Sequence, residues 1–168
     1  RRRQARLILN GDVFDFLSMV RLPPQNIIRE KGMQISGEEH KYGLGTSPEK
    51  SAWKLERIMR GHPLFFRAML RFVHAGHPIT ITRGNHDQEL FWQPVRDIFY
   101  SCLAEMAQEE GLTTLTQEVL REKITFEQWF YYEPGRVYVE HGHQYEATNS
   151  NRFYLHPVLP QEFSENNE

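Results

Sequence analysis

Pro78-Ile79-Thr80-Ile81-Thr82-Arg83-Gly84-Asn85-His86-Asp87 is the stretch on which the reading of this chain turns. Its first half is a short β-branched run bounded by Pro and Gly, which predicts a strand over 78–82. Its second half places an amide oxygen, an imidazole and a carboxylate on consecutive positions where that strand ends. Gly-Asn-His-Asp arises by chance in on the order of one in a thousand chains of this length. Two other strand-like runs end in similar chemistry. Leu7-Ile8-Leu9 runs into Asn10-Gly11-Asp12-Val13-Phe14-Asp15, and Val137-Tyr138-Val139-Glu140 runs into His141-Gly142-His143. Three strand ends thus offer hard oxygen or imidazole donors to one edge of a sheet.

Working outward, residues 6–10 read as a buried strand, too short and too apolar for a surface helix. Asp12 to Val20 is apolar-rich and predicts a helix starting on the Gly-Asp turn. Residues 21–47 are polar, punctuated by Pro and Gly and without a period, which marks an insertion or flexible cap suited to substrate contact. Ser47-Pro48-Glu49 is a helix start, with an N-cap hydroxyl followed by proline at the first helical position. Trp53, Ile58, Met59, Leu64, Phe65, Ala68, Met69, Phe72 and Val73 recur at helical spacing. Pro63 should divide this stretch into helices over 48–60 and 63–75. A further helix is expected from Pro94 to Glu110. Residues 124–133 and 136–140 are aromatic and β-branched around Pro134-Gly135, a hairpin signal. Residues 150–168 read as an irregular tail. Strands alternating with helices predict one α/β domain over 1–168, layered with helices packed on β-sheet, and in such sheets ligands sit beyond the carboxyl ends of the strands.

With 168 residues, 39% of them hydrophobic, the chain has the material for one core. A net charge of −2 gives no global field for nucleic acid or an anionic surface, so no nucleic-acid partner is expected. The single cysteine, Cys102, excludes an internal disulfide framework and fits a reducing, cytoplasmic setting. No run approaches the roughly eighteen uninterrupted apolar residues of a helical membrane span, and peripheral membrane contact stays open. The chain opens on Arg1-Arg2-Arg3 rather than Met and enters a core strand almost at once. It reads as a piece of a longer protein.

The donor types define the chemistry. The two oxygens and full charge of Asp12 suit it to bridging two divalent cations, Asn85 offers an amide oxygen, and His141 an imidazole nitrogen. Such a mixed set favours Mn²⁺, with Fe, Zn²⁺ or Ni²⁺ as alternatives, over Ca²⁺ or Mg²⁺. Two such ions about 3.5–4 Å apart acidify a shared water and clamp the oxygens of an in-line displacement at phosphorus. His86 would then meet the developing charge or protonate the leaving oxygen, with a carboxylate fixing its orientation. Asp15, one helical turn beyond Asp12, is placed to support ligands rather than be one. Plainer readings stand beside these. Asp12 is also a good N-cap, Asn85-His86-Asp87 a polar turn, and Asp15 a solvated helix residue. His143 competes with His141 for the ligand role, and His141 is preferred because it directly follows the strand. Arg83 is a candidate for bidentate contact with a substrate phosphate, or else a surface arginine.

Gly-Asp-x-x-Asp, Gly-Asn-His-Asp and a later strand-end His-Gly, in this order from Leu7 to about Tyr145, resemble the calcineurin-like metallophosphoesterase superfamily. The closing Asp and the phrase Val139-Glu140-His141-Gly142-His143-Gln144-Tyr145 resemble its bacterial branch similar to UDP-2,3-diacylglucosamine hydrolase. The resemblance implies a phosphoester or phosphoanhydride hydrolase with a dinuclear metal centre and a bridging hydroxide nucleophile. It implies Asp12 as bridging ligand, Asn85 and His141 as ligands of one metal, His86 as catalytic histidine with Asp87 as its partner, and Asp15 in support. The substrate would be a phosphorylated small molecule or nucleotide-like compound. The family's upstream Asp-x-His and downstream Gly-His-x-His are absent from this sequence, so the activity is assigned to a parent protein. The alternatives are a non-catalytic metal-binding domain that keeps the fold, and a nuclease of the same superfamily.

Overall fold

Strand β1 (Leu7–Asn10) and strand β2 (Ile79–Thr82) pair in parallel in the computed structural model, which describes residues 4–158. Leu7 lies opposite Ile79 and Asn10 opposite Thr82. Strand β3 (Ile124–Glu127) adds to the other side of β2, also parallel, giving the order β1-β2-β3. Parallel neighbours need long crossovers, and both are helical. Between β1 and β2 run α1 (Gln25–Glu30), α2 (Gly37–Tyr42), α3 (Pro48–Gly61) and α4 (Pro63–His74); between β2 and β3 run α5 (Gln93–Glu109) and α6 (Gln117–Lys123). Strands β4 (Phe130–Glu133) and β5 (Val137–Glu140) form a separate antiparallel hairpin. The architecture is mixed α/β.

Every residue of β2 is buried, and its alternation decides what each face does. Ile79 and Ile81 join the main core with Leu55 and Met59 of α3, Phe66 and Leu70 of α4, and Phe99 and Leu103 of α5. On the opposite face Thr80 Oγ1 accepts from Arg6 Nη1 (3.0 Å), and Thr82 Oγ1 donates to Asn10 Oδ1 (3.1 Å). The Arg6 guanidinium also lies over the ring of Tyr131, which ties the hairpin to this polar face. In α4 the buried residues Phe66, Met69, Leu70 and Val73 follow the i, i+3, i+4, i+7 pattern of one helix face, whereas Leu64 is exposed. Cys102 is buried in α5, and burial pushes its thiol up to about 11, which keeps it unreactive.

Several expectations need correction. The strand over 6–10 lies at the sheet edge and is half-buried, because among the described residues no strand pairs with its outer side. The helix expected from Asp12 to Val20 does not form. Phe14 and Phe16 are both buried two positions apart, which one helix face cannot arrange. Asp15 also accepts from Ser18 N (3.1 Å) and Ser18 Oγ, closing a local turn in place of helical bonds. The stretch 21–47 is not irregular throughout: it contains α1 and α2, and Ser36 and Glu39 close a capping box at the start of α2. Met33, Leu44 and Trp53 form a second, smaller core there, packed by Leu22, Ile27, Ile28 and Ile35. Ser47 does precede Pro48 at the start of α3, but its hydroxyl donates to Glu49 Oε2 (3.1 Å) instead of capping a backbone N–H. The stretch 124–133 is two strands in two sheets, broken at Gln128-Trp129. Tyr154, expected in the tail, is buried. Residues 159–168 and Arg1-Arg2-Arg3 lie outside the described residues. Among those described, no helix is long and apolar enough to cross a membrane.

Candidate functional site

The three loops singled out in the sequence meet at Asp12. Its backbone is left-handed (φ 51°), a conformation unfavourable for most L-residues that Asp tolerates better than most. On one side β1 fixes the chain by its register with β2. On the other, the buried ring of Phe14 stacks on Phe66 (centroids 6.2 Å apart) and meets Phe99 edge-on (5.9 Å). The second loop closes on the first by main-chain contact. Asp12 Oδ1 accepts from His86 N (2.9 Å), and Phe16 N donates to His86 O (3.2 Å). The third loop arrives through His141, whose Nδ1 lies 2.8 Å from the Asn10 carbonyl and whose Nε2 lies 3.1 Å from Asp12 Oδ2.

Two glycines make this convergence possible. A Cβ at Gly84 would stand 2.6 Å from the Asp12 amide nitrogen and nearer still to its carboxylate. A Cβ at Gly11 (φ +72°) would stand 2.5 Å from His141 Nδ1. Neither site has room for a side chain.

The His141 geometry has a chemical consequence. A carbonyl oxygen only accepts, so Nδ1 carries a proton and donates it to Asn10 O. Nε2 then faces a carboxylate oxygen at 3.1 Å. Two lone pairs at that distance repel unless a second proton or a cation lies between them. Imidazole fixed through Nδ1, with Nε2 presented toward a carboxylate, is an arrangement shared by His–carboxylate ion pairs and by metal-ligating histidines. Asn85 is half-buried on the loop between Gly84 and His86, next to the backbone that meets Asp12. Among the described residues, however, no three His, Cys, Asp or Glu side chains stand together as a metal-binding group. Asp12 and His141 are two such donors, and the expected third, Asn85, is an amide.

The carboxylates have exchanged places relative to the expectation. Asp15, not Asp87, sits beside the His86 ring, with Oδ1 3.3 Å from Nδ1. Hydrogen bonds from Ser18 above all, and then the His86 ring, hold the Asp15 carboxyl below its usual range. Asp87 is fully buried and turned inward, where it accepts from Gly84 N (2.6 Å) and Val13 N (2.9 Å). Burial pushes its carboxyl up, against the lowering by those two amides. Its place is to bolt the second loop to the first.

His143 is buried, its ring edge-on to Tyr154 (4.5 Å) and 5.3 Å from the His141 ring. Neither ring nitrogen has a hydrogen-bond partner among the described residues. Burial pushes the imidazole down, and His141 adds to this. Arg83 is also buried. Its Nη2 donates to Tyr154 O, and the guanidinium lies 4.4 Å from the Tyr154 ring, lining a cleft that shares no residue with the cavity at Asp12. The Asp12 cavity, about 570 Å³, is walled by Phe65, Phe66 and His62. Sequence reasoning also passed over Asn10 and Glu140. Asn10 Nδ2 donates to Glu140 O (3.0 Å), tying β1 to the end of β5, and Glu140 accepts from Trp129, Tyr138 and Tyr145. An asparagine ending a strand and a glutamate preceding His141 were the available signals. Compared with known proteins, this chain matches no family model, no curated protein and no solved structure.

Proposed function

We propose that this chain carries part of the machinery of a metal-dependent hydrolase acting on a phosphoester or phosphoanhydride, of the calcineurin-like metallophosphoesterase type. The observation that carries the reading is the facing of His141 Nε2 and Asp12 Oδ2 at 3.1 Å, with Nδ1 already committed to Asn10 O. Asp12, Asn85 and His141 would hold a divalent transition metal ion, Mn²⁺ above all, with His143 packed behind His141. The bound ion would act as a Lewis acid toward phosphoryl oxygen. The side chains have their own tasks. His86, half-exposed and steered by Asp15, is the group free to meet charge on a substrate oxygen or to protonate a leaving group. Asp87 keeps the His86 loop seated against Asp12 while taking no part in proton transfer. A phosphorylated small molecule or nucleotide-like compound is the substrate class, and a layered metallophosphoesterase sheet arrangement is the fold that goes with it.

Elemental analysis of the chain after Mn²⁺ loading and desalting tests the reading. Wild type should retain metal and Asp12→Asn should lose it; equal retention would remove Asp12 from the site. Turnover of bis(p-nitrophenyl) phosphate by the full-length parent protein should fall by orders of magnitude in His86→Ala while metal content survives. A second reading, a metal-binding domain without catalysis, draws on the lack of a third acidic or imidazole donor beside Asp12 and His141 among the described residues. It predicts stoichiometric metal in wild type and no turnover even by the full-length parent protein.

A further inference from the structure

The cleft beside Arg83, about 420 Å³, brings three guanidinium groups together from three parts of the fold. Arg83 follows β2, Arg96 lies on α5 and Arg121 on α6. Glu127 is the one carboxylate in the wall, and it is exposed. Each arginine is held at one end. Arg96 Nη1 donates to the Leu90 and Phe91 carbonyls (2.8 and 3.0 Å) and Nη2 to Gln93 Oε1 (2.8 Å). Arg121 lies over the Tyr100 ring and donates to Asp97 (2.8 Å). Arg83 is fixed by Tyr154, as described above. What distinguishes the cleft is what Arg83 lacks. Its side chain is 2% exposed, yet Nε and Nη1 have no acceptor among the described residues.

A buried guanidinium with two of its three nitrogens lacking an acceptor carries a desolvation cost that its one hydrogen bond to Tyr154 O does not offset. Aromatic faces of Tyr154 and Phe91 offset part of it but accept no N–H bond. The neighbouring cations make matters worse: burial first, and then Arg83 and Arg121, draw Arg96 below its usual range. One ligand chemistry relieves all three at once, a compact oxyanion with several acceptor oxygens. We propose that this cleft binds a phosphate group, with Arg83, Arg96 and Arg121 as its donors, at a site separate from the Asp12 cluster. The arginines are already positioned by contacts that do not involve the ligand, so little side-chain freedom remains to be lost on binding. The proposal does not depend on the hydrolytic reading.

The test is calorimetric titration of the 168-residue chain with inorganic phosphate, in chelator so that no metal contributes. Saturable one-to-one binding is expected with a dissociation constant of about 1 mM or tighter. Arg96→Gln and Arg121→Gln should each weaken it by about tenfold or more, and added salt should weaken it too. Arg121 is partly exposed, and urea midpoints identify a variant that has lost its fold; should Arg96→Gln do so, Arg121→Gln decides. Adenosine monophosphate distinguishes the sources. Tighter binding than phosphate assigns the cleft to a phosphorylated small molecule, and equal or weaker binding assigns it to free phosphate. No saturable heat with either probe, or unchanged affinity in a folded Arg121→Gln, would overturn the proposal.

Discussion

A methyl group at Gly84 has nowhere to go. The space it would need is held by the backbone and carboxylate of Asp12, and neither can retreat without unseating Phe14 from the core. Gly84→Ala should therefore destabilise the chain by about 1–3 kcal/mol. The urea midpoint should fall with an unchanged slope; an unmoved midpoint would show that the two loops are not in close contact. Asp87→Asn keeps the shape but replaces one acceptor oxygen with a donor. It leaves Gly84 N or Val13 N facing an N–H group, at a cost of about 1–3 kcal/mol. The same measurement checks it, with His86→Ala as the comparison. That ring is half-exposed, so its removal should scarcely shift the midpoint. Which donors meet here was legible from type alone: Asp12, His86 and His141 stand at strand ends and carry donor atoms. Which carboxylate serves His86 was not legible. Asp15 and Asp87 are the same chemical group, and only burial of one and exposure of the other assigns their tasks.

The short helices α1 and α2 are too brief to hold themselves, and their stability comes from packing on Trp53 and from Glu39. The Glu39 carboxylate accepts from Lys50 Nζ (2.6 Å), Ser36 N (2.8 Å) and Gly45 N (2.8 Å). Lys50 above all, then the Ser36 amide, holds its carboxyl down to about 2 from the ordinary 4.5. Because the folded value lies below the unfolded one, this contribution is whole above about 4.5 and is lost as pH falls toward 2. Near pH 7, Glu39→Gln should cost on the order of 1 kcal/mol, allowing for solvent screening of a lysine–carboxylate pair. The variant should also lose the wild-type dependence on pH across that window. Fluorescence of Trp53, which α3 buries against this segment, reports the change; a wild-type pH profile in the variant would rule Glu39 out as its origin. The absence of a period in 21–47 concealed these elements, since six residues do not complete two helical turns. The capping box at Ser36 was the local sign of α2.

Phe14, Phe66, Phe99 and Phe126 form a continuous set of ring contacts running from the Asp12 loop through α4 and α5 to β3. Phe66 packs on two of these rings, Phe14 and Phe99, and is 1% exposed. Phe66→Ala should cost about 3–5 kcal/mol, a fall of about 6–20 °C in Tm for a chain of this size. It also removes the ring on which Phe14 stacks, so metal retention should drop even below the melting transition. Full retention in the folded variant would show that the Asp12 loop is held by β1 and the second loop alone. The α/β alternation was readable because long helices with one apolar face and β-branched runs repeat at different periods. Two helices start on prolines, Pro48 and Pro63, and a third carries Pro94 at its second position.

Local composition was sufficient for the strands at 7–10 and 79–82, the long helices, the turn at Pro134-Gly135 and the three donor-bearing loops, because each is specified by neighbours within a few residues. The folded chain alone settled matters of burial and of partners distant in sequence. Asp12 is driven into a left-handed bend rather than a helix, Asp87 turns inward while Asp15 takes His86, and Arg83 is sealed under Tyr154. Those outcomes depend on contacts between residues 70 to 130 positions apart. No window of sequence contains both partners, and the free energy of burying a charge exists only once the surrounding walls are in place.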